Sequence, residues 1–234
     1  MTRLPIIALA SLLLASCITD NGPRYLAARA NPSDVIAAEL AFARAAREKG
    51  TWTAFREYAT RDAQWPGPRW ENVQSALKGA ADPAEPIVWQ PDQVWASCDG
   101  SFALSSGPAT YPTGKRSRFA TIWQRQNNGE YLWVLDQGFD LEAGYAVPEM
   151  IAARVAECPP GRLTRSGLPP RARRATMWFD GQSDDGTLTW HTELKADCSR
   201  TLVVSAKRDG MMSEVFRRSS AAPEAPANGA APTC

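Results

Sequence analysis

Apolar residues recur at helical spacing over residues 35–48, the first clearly periodic stretch of the chain. Capping residues and a proline precede this stretch at 31–34, and Gly50 follows it, so both ends of a helix are marked. The apolar stripe that we expect to face the core consists of Ile36, Leu40 and Ala43, with Val35 and Phe42 beside it.

Two shorter helices are predicted next. Thr51 can cap a helix that carries Trp52, Phe55 and Tyr58, and residues 70–78 can form a third helix. The proline- and glycine-rich run between these two segments predicts a turn or loop.

Further along, the period changes to two, which indicates strands. Asp99-Gly100 and Asn128-Gly129 mark hairpin turns. Because side chains alternate along a strand, Trp123 and Trp133 are expected to be cross-strand neighbours, and Leu135 is expected to share the face of Trp133. The predicted strands of this region cover residues 87–89, 94–96, 102–104, 119–123 and 131–135.

The last third of the chain is less regular. Residues 148–157 are expected to form a short helix, followed by an arginine-rich linker at 161–174. The linker could contact anionic lipid, although a solvated loop is the simpler interpretation. Strand pairs around Asp185-Gly186 and Asp209-Gly210 predict two hairpins, which would either extend the first sheet or form a small unit of their own. Residues 219–234 have the composition of a disordered tail.

Helices followed by antiparallel strands define the predicted fold class as α+β. In this arrangement the N-terminal helices pack on one face of a curved antiparallel sheet. We divide the rest of the chain into a helix and basic linker at 142–175 and a small β-hairpin extension at 176–218.

The N-terminus has the features of an export signal. Arg3 precedes an apolar run over residues 4–15 that is too short to span a bilayer, which needs about 20 apolar residues. Leu14-Ala15-Ser16-Cys17 resembles the bacterial lipobox, in which the cysteine becomes the lipid-bearing N-terminus. We therefore predict a signal peptide at 1–16 and a lipidated tether at 17–31. An ordinary secretory signal is the alternative.

The lipobox resemblance also implies a location. Ile18 follows the cysteine where an aspartate would favour retention in the inner membrane. We therefore expect a lipoprotein of the cell envelope, anchored at the periplasmic face of the outer membrane.

Composition and charge bear on the class of partner but do not identify a function. The chain has 26 basic and 25 acidic residues, and loss of the signal removes Arg3 alone among the charged residues. A nearly neutral chain without a basic helix gives no reason to expect a nucleic acid partner. Most of the nine tryptophans are expected to be core residues.

The cysteines agree with export. Besides Cys17 there are Cys98, Cys158, Cys198 and Cys234, which allow three fully paired connectivities. An oxidising compartment favours their pairing, and we favour Cys98–Cys158. No C-x-x-C element is present, so the sequence predicts no metal site.

His191, the only histidine, is expected at an exposed position of a strand and not as a metal ligand. The chain also lacks a glycine-rich phosphate loop and a G-x-S-x-G elbow, so we expect no cofactor.

Three segments resemble the nuclear-transport-factor-2-like (NTF2-like) superfamily and its SnoaL-like members. They are AELAFARAAREKG, YATRDAQW and the hairpin ATIWQRQNNGEYLWVLD that ends near Asp136. The resemblance covers roughly residues 33–141, so the predicted NTF2-like unit is 32–141. It implies a cone of helices and bent sheet around an internal cavity, and a second copy of the chain as a partner, since dimers are common in the superfamily.

Some NTF2-like enzymes hold an acid–base carboxylate in the cone. The candidates here are Asp62, Asp136 and Tyr58. Each also has a structural interpretation, as a helix-end residue, a strand-end residue and a packing residue respectively. No tyrosine and second aspartate that would form an oxyanion site can be matched residue by residue.

Two hypotheses follow. The first is a non-enzymatic envelope lipoprotein whose cone binds a small apolar ligand or whose surface docks a partner. The alternative is a SnoaL-like or isomerase-like enzyme that uses a single carboxylate as acid and base. An inward-facing, reachable carboxylate with a second polar group nearby would favour the enzyme.

Overall fold

The computed structural model describes residues 30–67, 69–160 and 179–223, together with the backbone of short strands at 25–26, 163–164, 173–174 and 178. The helices are α1 (Pro32–Lys49), α2 (Thr51–Tyr58) and α3 (Val73–Ala76). The strands are β1 (Tyr25–Leu26), β2 (Ala59–Pro66), β3 (Trp70–Asn72), β4 (Val88–Trp89), β5 (Gln93–Ala96), β6 (Phe102–Thr110), β7 (Arg116–Arg125), β8 (Tyr131–Asp140), β9 (Ala152–Val155), β10 (Leu163–Thr164), β11 (Arg173–Arg174), β12 (Trp178–Gln182), β13 (Leu188–Leu194), β14 (Arg200–Arg208) and β15 (Met211–Ser220).

Helix α1 begins and ends where the sequence predicts. The Asn31 side chain accepts a hydrogen bond from the Ser33 N–H, and Gly50 ends the helix with a φ of 107° that favours glycine. The expected apolar stripe is shifted, however. Leu40 is 42% exposed, while Val35 and Phe42 are buried. In this alanine-rich helix the bulky Phe42 determines the buried face, because its ring packs against aromatic residues of the sheet.

Helix α2 follows without a connecting loop. Its N-cap position is Gly50, so Thr51 is the first helical residue and not the predicted cap. Asp82 supplies the cap from a later loop, since its carboxylate accepts hydrogen bonds from the Thr53 N–H at 2.9 Å and the Thr53 hydroxyl at 2.6 Å.

The first sheet has eight strands in the order β3-β2-β8-β7-β6-β5-β9, with β4 also paired to β6. Strand β2 runs parallel to β8, β9 runs parallel to β5, and the other pairs are antiparallel. The sequence analysis missed β2 and placed a helix over residues 70–78, of which only α3 is helical. Strand β2 forms because β8 offers it backbone partners, and β3 pairs in turn with β2.

The predicted helix at 148–157 is also wrong. Residues 152–155 form β9, whose pairing with β5 is extended by hydrogen bonds from Ala152 N–H to Asp92 O and from Ala156 N–H to Ala96 O, both 2.8 Å. All four residues of β9 are exposed. The backbone pairing with an open sheet edge therefore overrides the local apolar spacing.

A β-bulge in β8 decides which residues face the helices. Trp123 pairs with Trp133 as predicted, but Ile122 pairs with Leu135, so Val134 has no partner on β7. A bulge shifts the alternation of side chains by one residue. Leu135 consequently packs on the side of the sheet away from the helices, and it does not share the face of Trp133 as predicted. Asp136, the next residue, faces the helices.

The C-terminal strands form a separate antiparallel sheet with the order β11-β12-β13-β14-β15. Both predicted hairpins are present, and they stack on the first sheet instead of extending its edge. The molecule is thus mixed α+β, with the first sheet between the helices and the second sheet. The apolar layer between the two sheets includes Trp95, Phe102, Leu104, Ile122, Leu135, Phe179, Leu188, Trp190, Leu202 and Phe216.

The Cys98–Cys158 disulfide, the pairing favoured from the sequence, is present, with 5.1 Å between its two Cα atoms. It ties the end of β5 to the segment that follows β9. Cys198 is also disulfide-bonded. Cys17 and Cys234 lie outside the described residues.

The predicted signal peptide and most of the predicted tether and linker lie outside the described residues. Strands β1 and β10 pair with each other inside the tether and linker. Strand β15 runs to Ser220, so the last strand continues past the predicted start of the tail. In the described part of the chain, no helix combines the length and apolar character that a membrane span requires.

Candidate functional site

A cavity of about 770 Å³ opens between α2 and the concave face of the first sheet. A narrower extension reaches further inward and is lined by Phe42, Trp89 and Phe119. Arg200 of the second sheet, together with Ser220 at the end of its last strand and residues 221–223 after it, completes the rim of the larger cavity. The apolar part of the larger lining is formed by Trp52, Phe55, Trp65, Pro66, Ile87 and Phe139.

Asp136 lines both the cavity and its extension. The bulge at Val134 turns this residue toward the helices, where Thr121 donates a hydrogen bond from Oγ1 to Asp136 Oδ2 at 2.7 Å. Burial raises the pKa of Asp136 from 3.8 to about 7, the Thr121 hydrogen bond opposes this rise, and the nearby Glu39 adds to it. The site therefore holds a carboxyl group that titrates near neutral pH.

Glu39 lies deeper, on the buried face of α1, and is fully buried. Its Oε1 accepts a hydrogen bond from Trp89 Nε1 at 2.6 Å, and its Oε2 accepts from Trp123 Nε1 at 3.1 Å and from Ser105 Oγ at 2.5 Å. Burial raises the pKa of Glu39, and the three hydrogen bonds oppose that rise. The side chain ties α1 to three strands of the sheet.

The two carboxyl groups stand at opposite ends of a polar row across the sheet. Ser105 on β6 is in register with Thr121 on β7, which is in register with Asp136 on β8. Glu39 binds the first hydroxyl of the row, and Asp136 binds the second. The row places polar groups along a concave face that is otherwise largely apolar.

Further polar groups stand around the cavity. Tyr111, just beyond β6, is part of the lining, and burial raises the pKa of its phenol. Lys115 lies exposed at the rim. Arg200 donates from Nη2 to Gly138 O at 2.6 Å, and burial lowers the pKa of its guanidinium.

The structure brings one of the three predicted acid–base candidates into the cavity. Asp136 lines it, although the residue lies inside β8 and not at the strand end. Asp62 is exposed on β2, and the Tyr58 ring stacks on Phe42 with 5.3 Å between centroids; neither lines the cavity. His191 is exposed on β13, as expected.

Glu39, Tyr111 and Arg200 were not predicted from the sequence. A signal existed for Glu39, which lies three residues before Phe42 on the same helix face. No local signal identifies Arg200, because its place at the cavity depends on how the second sheet stacks.

This arrangement can hold a small molecule with an apolar body and a hydrogen-bonding group. The aromatic walls provide apolar contact, and the Asp136 carboxyl provides a polar anchor at one point. A carboxyl that titrates near pH 7 can also both accept and donate a proton.

No family profile and no curated protein matches this sequence. Among solved structures, the chain is similar to a protein from Parabacteroides distasonis ATCC 8503 described as a candidate ketosteroid isomerase, with 15% identity and a TM-score of 0.37 over 49% of this chain and 90% of the other. It is also similar to an NTF2-like protein of unknown function from Pseudomonas putida KT2440, with 14% identity and a TM-score of 0.35 over 51% of this chain and 94% of the other. At these values neither a family nor an activity follows for this chain.

Proposed function

We propose that the helices and first sheet form an NTF2-like cone that binds a small, largely apolar organic molecule, with Asp136 as its polar anchor. The observation that carries this proposal is the aromatic cavity with the Asp136 carboxyl group turned into it by the β8 bulge. A buried, titratable group in a concave apolar pocket is typical of a ligand site.

Native mass spectrometry of the purified protein tests the proposal. A co-purified small molecule should be found with the wild-type chain and be reduced or lost in Asp136→Asn. Asp62→Asn, the same substitution at an exposed position of β2, is the matched control and should retain the molecule. Equal occupancy in both variants would place the ligand elsewhere, and consistent absence from the wild type would favour partner docking.

Acid–base catalysis on the bound molecule is a second candidate function. It is favoured by the pKa of about 7 for Asp136 and by the Tyr111 phenol in the same lining. The carboxylate would remove a proton from a carbon next to a carbonyl group and return it at another carbon, while a phenol would donate a hydrogen bond to the carbonyl oxygen.

A β,γ-unsaturated cyclic ketone is a suitable probe for this chemistry, because its isomerisation to the conjugated ketone changes the ultraviolet absorbance. We expect Asp136→Asn to lower the rate by at least about 100-fold if the carboxylate acts as the base. No isomerisation by the wild type, or equal rates in the wild type and the variant, would leave ligand binding as the function.

We also propose that the protein is exported and anchored in the cell envelope through a lipid on Cys17. Support comes from the lipobox-like sequence and from the Cys98–Cys158 disulfide, a bond that persists in oxidising compartments. Labelling of cells with a fatty-acid analogue should mark the wild-type protein and leave Cys17→Ser unmarked. Equal labelling of both would refute the anchor.

A further inference from the structure

Two cationic side chains reach the cavity without a carboxylate partner. In the described part of the chain, neither Arg200 nor Lys115 forms an ion pair. Arg200 comes from β14 of the second sheet, and Lys115 comes from the turn between β6 and β7. They therefore approach the cavity from two different layers of the molecule.

The surroundings of Arg200 leave part of its guanidinium without a partner. Nη2 donates to Gly138 O, and the group lies 5.9 Å from the centroid of the Phe139 ring. The Nε atom is buried and has no hydrogen-bond partner. A partly desolvated cation without a counter-charge is costly to a fold, since burial removes hydration that nothing replaces.

The nearest acidic groups do not supply Arg200 with a paired counter-charge. Asp140 is exposed at the rim and acts on Arg200 only through space. Asp136 has a pKa of about 7, so it carries a full negative charge only at a pH above that value. Its Oδ2 already accepts a hydrogen bond from Thr121. The cavity thus combines aromatic walls, two cations and a carboxyl group that is in part protonated at neutral pH.

Resting on the proposed function, we infer that the ligand is an amphipathic organic anion, whose ring-sized apolar body lies against Trp52, Phe55 and Trp65 and whose carboxylate pairs with Arg200 and Lys115. The planar fork of a guanidinium matches a carboxylate in geometry, and such charge-assisted hydrogen bonds are the stronger kind. The second sheet then supplies the group that selects the ligand, and the first sheet supplies the walls.

Calorimetric titration with naphthoate and naphthamide separates charge from shape, because the two probes have the same ring system. We expect the wild-type protein to bind naphthoate at least about tenfold more tightly than naphthamide, the value expected for one hydrogen bond to a charged group. Arg200→Gln should remove most of this preference and leave the naphthamide affinity unchanged. Arg208→Gln, a matched substitution on the same strand whose guanidinium packs over Trp95, should keep the preference.

Two further variants test the inference even if Arg200→Gln fails to fold. Arg200→Lys keeps the charge but loses the planar fork, so it should keep only part of the preference. Lys115→Gln changes an exposed residue and should reduce the preference by less than Arg200→Gln does. Tight binding of both probes with no effect of Arg200→Gln or Lys115→Gln would overturn the inference and leave the proposed cavity function intact. Binding of neither probe by the wild type would overturn the inference, and native mass spectrometry would then decide the proposed function by itself.

Discussion

Burial of single polar side chains governs the chemistry of this molecule at the residue scale. Glu39 satisfies two tryptophan N–H groups and one serine hydroxyl inside the core. Without it the Trp89 N–H and the Ser105 hydroxyl would be unpartnered, whereas the Trp123 N–H would keep its hydrogen bond to Ser105 Oγ at 2.8 Å. An unsatisfied buried donor costs about 1–3 kcal/mol. Glu39 therefore stabilises the same face of the sheet that carries Asp136.

Substitution of Glu39 tests this role. Glu39→Leu should lower the free energy of unfolding by about 2–4 kcal/mol, because the Trp89 N–H and the Ser105 hydroxyl lose their acceptor and the Trp123 N–H loses one of its two acceptors, while the side-chain volume is kept. Glu39→Gln should cost less, since its amide oxygen still accepts a hydrogen bond. Urea denaturation of both variants measures the difference. A Leu variant as stable as the wild type would show that the three hydrogen bonds contribute no net stability.

The raised pKa of Asp136 predicts how the free energy of unfolding depends on pH. Its folded pKa is raised from 3.8 to about 7, so the folded protein keeps this proton where the unfolded chain has lost it. The stability from this group is full below pH 3.8 and is lost as pH rises through about 7. Asp136→Asn should therefore flatten the fall in unfolding free energy over this range, with Asp62→Asn as control. A wild-type slope in the Asn variant would contradict the raised pKa.

Two hairpin turns interlock at the scale of elements. The turns Ser97–Ser101 and Ser183–Thr187 exchange hydrogen bonds, from Asp99 N–H to Asp185 Oδ2 at 2.9 Å and from Asp185 N–H to Asp99 Oδ2 at 3.0 Å. Each carboxylate also accepts bonds within its own turn, for example from Ser101 N–H to Asp99 Oδ1. The pair joins a turn of the first sheet to a turn of the second.

Asp99→Ala should cost about 2–3 kcal/mol of unfolding free energy, because it removes bonds between the sheets and leaves buried turn groups unpartnered. Asp197→Ala is a matched control, since Asp197 makes the same kind of turn bonds to Ser199 at an exposed site. We expect that control to cost less than about 1 kcal/mol. Similar losses in thermal or urea denaturation of both variants would show that the interlock adds nothing beyond a local turn.

At the scale of the whole molecule, three layers pack together, and a disulfide joins distant segments of the chain. The Cys98–Cys158 disulfide closes a loop with a sequence separation of 60 residues, and the loop contains β6, β7, β8 and β9. Such a closure restricts the unfolded chain more than the folded one.

Replacement of both cysteines by alanine should lower the free energy of unfolding by about 4 kcal/mol in the chain-entropy description. The first sheet and the second sheet should remain assembled, because the apolar layer between them does not include the disulfide. Urea denaturation and near-ultraviolet circular dichroism measure the two effects. A loss below about 1 kcal/mol would show that the unfolded chain is already compact in this loop.

Local sequence determined a large part of this architecture. The capping run before α1, the stop at Gly50 and the hairpin turns at Asp99-Gly100 and Asn128-Gly129 fix backbone conformations within a few residues. These signals need no distant partner, so the order of helices and hairpins could be predicted from the sequence.

Tertiary structure alone decided which side chains meet at the cavity. Strand β9 formed where the sequence favoured a helix, because the open edge of β5 supplied backbone partners. The unpaired Val134 turned Asp136 inward, and the stacking of the second sheet brought Arg200 to the rim. Register and sheet stacking depend on contacts between residues far apart in the chain, and a shift of one residue reverses the face of every side chain.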